Sequence, residues 1–341
     1  MAVVRVDIDG GGGPTGEPLL IAPNVSINQS SFSGSRDGKV IAMLGGSGGP
    51  GADPSLVDRS GKPLAMVSPA AAGVAGHPDF SPDGKRLLFD RGQSRGVNDD
   101  MWSYDIARHS AARLTFGAGS NTPGTWSATG DRIYYYSRRQ DQGSGIHEMA
   151  SNGVGTEKLL AAVDAHHAHA SPDGRLLAFE RTASSGGGDL WTLPLSGGAK
   201  PEPLLTGQTY THPRFSPDSQ LFSYTSPETG RQEIYIQTIP PGGGKWAVST
   251  TGGRESKWRA DGKELYFLSG NRLMAAAITR RGAAVEVGEV KELFHHRMGS
   301  GGAGHYAASP DGKFFAISLV SDRAQDQPIT LLLNWKLPPP R

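Results

Sequence analysis

The chain has 341 residues, of which 48 are Gly and 24 Pro, so about a fifth of it favours turns, against roughly 12 per cent in an ordinary soluble domain. Charged residues make up 20% with a net charge of +1, which excludes the basic surplus of a nucleic-acid binder and the charge-rich, apolar-poor profile of a disordered chain. There is no Cys, hence no disulfide, thiolate nucleophile or Cys-ligated zinc, and no run approaches the roughly 18 to 20 apolar residues of a membrane-spanning helix.

Met1 to Gly10 lacks the charged, apolar and small-residue regions of a signal peptide. Two β-rich runs follow, Val3 to Ile8 and Glu17 to Ile21, before the first member of an internal repeat. Ser-Pro-Asp-Gly occurs intact at residues 81–84, 171–174 and 309–312, with degenerate copies at 35–38, 127–130, 216–219 and 259–262. The first residues of these seven copies lie 46, 46, 44, 45, 43 and 50 positions apart, the period of a four-stranded propeller blade. Pro presets φ, Asp hydrogen-bonds its own backbone and Gly accepts positive φ, so each copy reads as a hairpin turn.

A second strand follows every turn: Val40 to Met43, Arg86 to Phe89, Arg132 to Tyr136, Leu176 to Phe179, Leu221 to Tyr224, Glu264 to Leu268 and Phe314 to Leu319. Third strands are clearest at Asp100 to Tyr104, Asp189 to Leu193 and Glu233 to Ile236, where Trp102, Trp191 and Tyr235 hold equivalent places and are expected to pack between blades. Fourth strands are expected at Lys62 to Met66, Ala112 to Phe116, Glu157 to Ala161, Glu202 to Thr206, Trp246 to Thr250 and Lys291 to His295. The last repeat, from about His305, has two strands and then Ile329 to Trp335, and lacks a fourth. The expectation is one all-β domain over residues 1–341, a seven-bladed propeller in which strands at 3–22 complete the last blade, 305–337, and remove the sheet edges. A six-bladed ring with one repeat left outside is the alternative, because both termini offer a third strand.

Phe80-Ser81-Pro82-Asp83-Gly84, Phe215-Ser216-Pro217-Asp218 and Trp126-Ser127 make the chain resemble the TolB-type β-propellers over nearly its whole length. Trp246 and the final Leu333-Asn334-Trp335 are most similar to the propeller portions attached to bacterial serine/threonine protein kinases. No kinase portion accompanies them, since neither a Gly-rich loop with its Lys strand nor a His-Arg-Asp or Asp-Phe-Gly motif occurs. The resemblance implies a monomer in the periplasm or otherwise outside a bacterial cytoplasm, and it constrains fold more than function.

In a propeller the innermost strand of each blade lines the central channel. Four positions before the Ser-equivalent stand Ser31, His77, Pro123, His167, His212, Glu255 and His305, four of them His. Either His belongs to the packing of the repeat, or His77, His167, His212 and His305 converge on a divalent metal with Glu255 as an oxygen ligand. Alternation in the strand would turn His169 inward beside His167, with His166 on the other face. Two positions before the Ser stand Asp79, Thr125, His169, Arg214 and Lys257, with Arg254 nearby. Arg214, Lys257 and Arg254 could clasp a carboxylate, Arg as a planar fork and Lys as a point charge.

The Gly-rich runs at 10–13, 45–51, 186–188 and 242–244 lie between strands and precede no Lys-Ser/Thr helix, so they cradle no phosphate. Gly45 to Gly49 matches a nucleophile elbow only formally. Besides a sensor portion cut from a larger signalling protein, whose ligand the sequence does not name, two functions remain. One is a module without chemistry of its own that binds a protein, peptide or glycan on the loop face of the ring. The other is an enzyme whose channel metal acidifies the α-proton of a uronate, which a channel His or Tyr210 removes in a β-elimination, as in the propeller polysaccharide lyases it would resemble. Neither nucleic acid nor membrane insertion is expected, and no cofactor beyond that metal.

Overall fold

The computed structural model describes residues 3–8, 14–22, 32–34, 40–44, 54–67, 74–92, 99–116, 119–139, 144–182, 188–282, 284–295, 306–318 and 329–333. The chain divides into two compact units, residues 52–319 and residues 1–51 with 320–341. The larger holds six four-stranded antiparallel sheets. Blade 1 comprises Val74–Phe80, Arg86–Gly92, Asp100–Asp105 and Ser110–Arg113. Blade 2 comprises Ser120–Trp126, Arg132–Arg138, Gly145–Ala150 and Lys158–Ala161. Blade 3 comprises His166–Ala170, Leu176–Thr182, Gly188–Pro194 and Glu202–Leu205. Blade 4 comprises Thr211–Phe215, Leu221–Ser226, Glu233–Thr238 and Lys245–Ala247. Blade 5 comprises Arg254–Trp258, Glu264–Ser269, Arg272–Arg281 and Ala284–His295. Each first strand touches the first strand of the next blade, and that of blade 6 touches that of blade 1, so the ring closes on itself.

Blade 6 is assembled from both ends of the unit. Tyr306–Ala308 and Phe314–Ser318 form its inner half, Pro54–Asp58 and Pro63–Met66 its outer half, with Phe314 opposite Asp58 and Ser318 opposite Pro54. The expected seven blades are therefore corrected to six, and the expected closing strands at 3–22 to 54–66. The reason is supply: the strand pair at 54–66 can complete one blade only, and it completes the C-terminal one. The first repeat is left without third and fourth strands of its own. In the smaller unit its strands Phe32–Gly34 and Val40–Leu44 take Ile329–Leu333 as third member, while Val3–Ile8 pairs with Pro14–Ala22. The turn at 35–38 lies outside the described residues. Outer strands also end earlier than expected in blades 1 and 4, at Arg113 and Ala247.

Second strands are apolar on both faces because each blade is covered on both sides. Leu87, Leu88 and Phe89 are all fully buried, as are Leu177, Ala178 and Phe179. Burying each Leu or Phe contributes about 1.5–3 kcal/mol. Six apolar clusters fill the six inter-blade spaces. Trp102, Trp191 and Tyr235 pack in three of them, as expected from their equivalent places.

The Ser-Pro-Asp-Gly turns explain their own sequence. In the turn at 81–84, Ser81 Oγ donates to Asp83 Oδ1 at 2.6 Å and accepts the Arg86 N–H at 2.9 Å. Gly84, at φ +71°, closes the turn by donating to the Ser81 carbonyl. Neighbouring turns touch around the ring. Asp173 N–H donates to Ser219 Oγ, and Ala260 N–H to the Pro310 carbonyl.

Candidate functional site: the central channel

At the fourth residue before the turn, the first strands of blades 1, 3, 4 and 5 break register. His77, His167, His212 and Glu255 occupy these breaks with left-handed backbones, at φ 46°, 46°, 56° and 57°. A bulge inserts one extra residue and re-aims its side chain, here into a shared cavity at the ring centre. His is enriched among non-Gly residues that tolerate this conformation, so backbone geometry accounts for part of the His pattern. What the side chains meet there is a separate matter.

The His77, His167 and His212 rings lie in sequence, with centroids 5.8 Å apart for the first pair and 4.2 Å for the second. Two carboxylates from second strands face them. Asp90 Oδ1 is 2.7 Å from His77 Nδ1, and Glu180 Oε1 is 2.8 Å from His167 Nδ1 and 4.0 Å from His212 Nδ1. Glu180 also accepts the His212 backbone N–H at 2.5 Å. One ligand atom each from His167, Glu180 and His212 fall within 4.8 Å of one another. Neither ring nitrogen of His212 has a hydrogen-bond partner, although both are buried, and His167 Nδ1 is not aligned for one. A buried polar group left unsatisfied costs about 1–3 kcal/mol. Burial and the neighbouring His167 push the His212 imidazole down to about 3, so it is neutral at physiological pH. Burial works against charge on Glu180, but His167 and His212 hold its carboxyl down at about 2.

Of the expected metal ligands, three are brought together, while His305 lies outside the described residues. Glu255 lines the same cavity but is engaged by Arg254, whose Nη1 donates to its carboxylate at 2.5 Å, while its backbone carbonyl accepts the Tyr306 O–H at 2.9 Å. Glu180 and Asp90 were missed. Each stands nine residues after its turn Ser, in blades that carry His four residues before it, and that paired spacing was the available signal.

The next layer is cationic. Arg214 donates to the Pro213 carbonyl at 2.9 Å, its Nε is buried without a partner, and burial lowers its pKa. Burial, with Arg214 beside it, pushes the Lys257 ammonium down to about 7. Among the described residues, neither cation has a carboxylate at ion-pair distance. Asp79 in the same layer accepts from Thr125 Oγ1. His169 lines the outer cavity, where its Nδ1 accepts the Phe215 N–H at 3.1 Å, and burial plus Arg214 and Lys257 keep the ring neutral. Tyr210 lies off the channel, edge-on to Tyr224, and lines neither of its cavities, because the chain before Thr211 pairs with the Gly188 carbonyl in the third strand of blade 3. His166 is half-exposed near Asp164.

Two cavities meet at this layer. The inner one, about 20 Å³, is bounded by the three imidazoles and holds about one water or ion. The outer one, about 330 Å³, opens among the turns and is walled by Phe80, Trp126, Phe215 and Trp258. Asp79, Arg214 and Lys257 border both.

No protein-family model and no curated protein matches the sequence. Solved structures do match. A protein described as TolB from Agrobacterium tumefaciens superposes with a TM-score of 0.61 at 20% identity, over 78% of this chain and 96% of that one. TolB from Acinetobacter baumannii gives 0.52 at 14% identity, over 78% of this chain and 62% of that one. An oligogalacturonate lyase in complex with manganese gives 0.52 at 16% identity, over 81% and 80% of the two chains. Likeness at such identities is likeness of fold: the chain is a β-propeller of TolB-like architecture, with six four-stranded blades in its ring.

Proposed function

We propose that the ring is a binding module that receives an acidic ligand, a carboxylate-bearing glycan or peptide end, through the turn-side mouth of its channel. The observation that carries this is the placement of Arg214 and Lys257, two cations with no carboxylate within ion-pair distance among the described residues, on the lining of the 330 Å³ mouth. A fixed guanidinium fork and an ammonium in a partly dry site favour a carboxylate. The aromatic walls supply apolar contact. The sequence signature shared with kinase-attached propellers supports a sensing role outside the cytoplasm, with the acidic ligand as signal.

Calorimetric titration in EDTA with trigalacturonate and with a Glu-rich peptide, each against a neutral analogue, tests this and separates the two ligand sources. Saturable binding of one acidic ligand, weakened about tenfold or more in Arg214→Ala and in Lys257→Met, is expected. Absence of saturable binding, or equal binding of neutral analogues, refutes it.

One observation favours a second activity, β-elimination from a uronate: Lys257 is held near neutrality and borders the imidazole cavity. Its free amine would take the proton α to the carboxylate while Arg214 neutralises the enolate. The C4–O bond then breaks, and the departing oxygen takes the electron pair and a proton from water. A solved lyase of the same fold, crystallised with manganese, is consistent with it. Appearance of the unsaturated sugar product, abolished in Lys257→Met, is the test.

A further inference from the structure

We propose that His167, Glu180 and His212 form a binding site for one first-row divalent transition-metal ion at the inner end of the channel. This goes beyond capture of an acidic ligand, which needs only the cationic layer.

The three donors come from adjoining blades and are fixed before any ion arrives. His167 and His212 sit on left-handed bulges whose geometry the strand pairing imposes. Glu180 is anchored on a buried second strand and tied to blade 4 by the His212 N–H. Donors bound to one ion at about 2.0–2.2 Å lie roughly 3.3 Å apart. The observed separations bracket that value: Glu180 Oε1 is 2.8 Å from His167 Nδ1 and 4.0 Å from His212 Nδ1, and one ligand atom of each residue lies within 4.8 Å of the others. His212, with two buried nitrogens and no hydrogen-bond partner, has no structural task that this arrangement explains. The inner cavity, about 20 Å³, has the size of one ion or water. A third imidazole, His77, borders the same cavity with Nδ1 held by Asp90 at 2.7 Å. A ligating His is commonly oriented in that way by a carboxylate.

Two imidazoles and one carboxylate form a borderline donor set, suited to Zn²⁺ and more weakly to Mn²⁺, and poorly suited to Mg²⁺, which requires oxygen ligands. A four-coordinate ion held by these three donors keeps one position for water or ligand, in a cavity that Arg214 and Lys257 also border.

The test is titration of chelator-stripped, tag-free protein with ZnCl₂, MnCl₂ and MgCl₂, followed by calorimetry and elemental analysis after gel filtration. One Zn²⁺ per chain, tighter than Mn²⁺ and with no saturable Mg²⁺ uptake, is expected. His167→Asn and His212→Asn are the informative variants, because Asn accepts the left-handed backbone that Ala resists, and thermal melting verifies that they fold. Each should weaken Zn²⁺ binding about tenfold or more, as should Glu180→Gln. His109→Asn, likewise at a left-handed position (φ 51°) but remote from the channel, should leave it unchanged. The proposal is overturned if stripped wild-type protein takes up no stoichiometric Zn²⁺, or if both folded Asn variants bind like wild type. The acidic-ligand titrations in EDTA are independent of this outcome, so either reading can fail alone.

Discussion

Lys257 offers the sharpest physical test of the channel. Its ammonium is brought down from 10.5 to about 7, first by burial and then by Arg214. A pKa difference of one is worth about 1.4 kcal/mol, so holding this lysine protonated in the folded ring costs at most about 5 kcal/mol. Partial exposure of the side chain brings the expected cost to about 2–3 kcal/mol. The cost is full below pH 7, where the folded state must carry the charge. It shrinks as pH rises from 7 towards 10.5, because the folded state releases the proton before the unfolded chain does, and it vanishes above 10.5. Lys257→Met removes the charge and keeps most of the volume. Urea unfolding of both proteins in EDTA from pH 6 to pH 10 should show the variant more stable by about 2–3 kcal/mol at pH 6, with the two curves converging towards pH 10. Parallel curves would show that Lys257 has an ordinary pKa. They would remove both its desolvation and its suitability as a base.

Two substitutions probe the packing that holds the site. A Cβ on Gly124 would meet Met101 Cε at 2.4 Å and Leu88 Cδ2 at 2.8 Å. Gly124→Ala should therefore destabilise by about 1–3 kcal/mol, at the lower end because Met can re-pack, and an unchanged urea midpoint would contradict that crowding. Tyr306 is fully buried, and its hydroxyl donates to the Glu255 carbonyl across the interface of blades 5 and 6. Tyr306→Phe should cost about 1–2 kcal/mol in the same assay by leaving that carbonyl unpaired, and a neutral result would mean that water replaces the hydroxyl.

Much of this protein is written locally. The Ser-Pro-Asp-Gly turns, the doubly buried second strands and the places of Trp102, Trp191 and Tyr235 follow from short-range chemistry repeated at a blade-length period. The same period placed His77, His167, His212, Arg214 and Lys257 on the channel. Blade number was not local. The sequence offers strands at 3–22 and from Ile329 as closing candidates and shows no strand at 54–58, and only long-range pairing assigns 54–58 to 314–318 and leaves the first repeat in the other unit. The site divides in the same way. Periodicity located a ring of histidines, whereas three-dimensional contact decided that Glu180 faces two of them, that Glu255 belongs to Arg254 and that His169 serves the backbone. Propensity and turn chemistry act within a few residues, so the sequence by itself determined the blades and the inward-facing positions. Strand partners and side-chain neighbours are set by which distant surfaces exclude water together, and that only the tertiary structure decides.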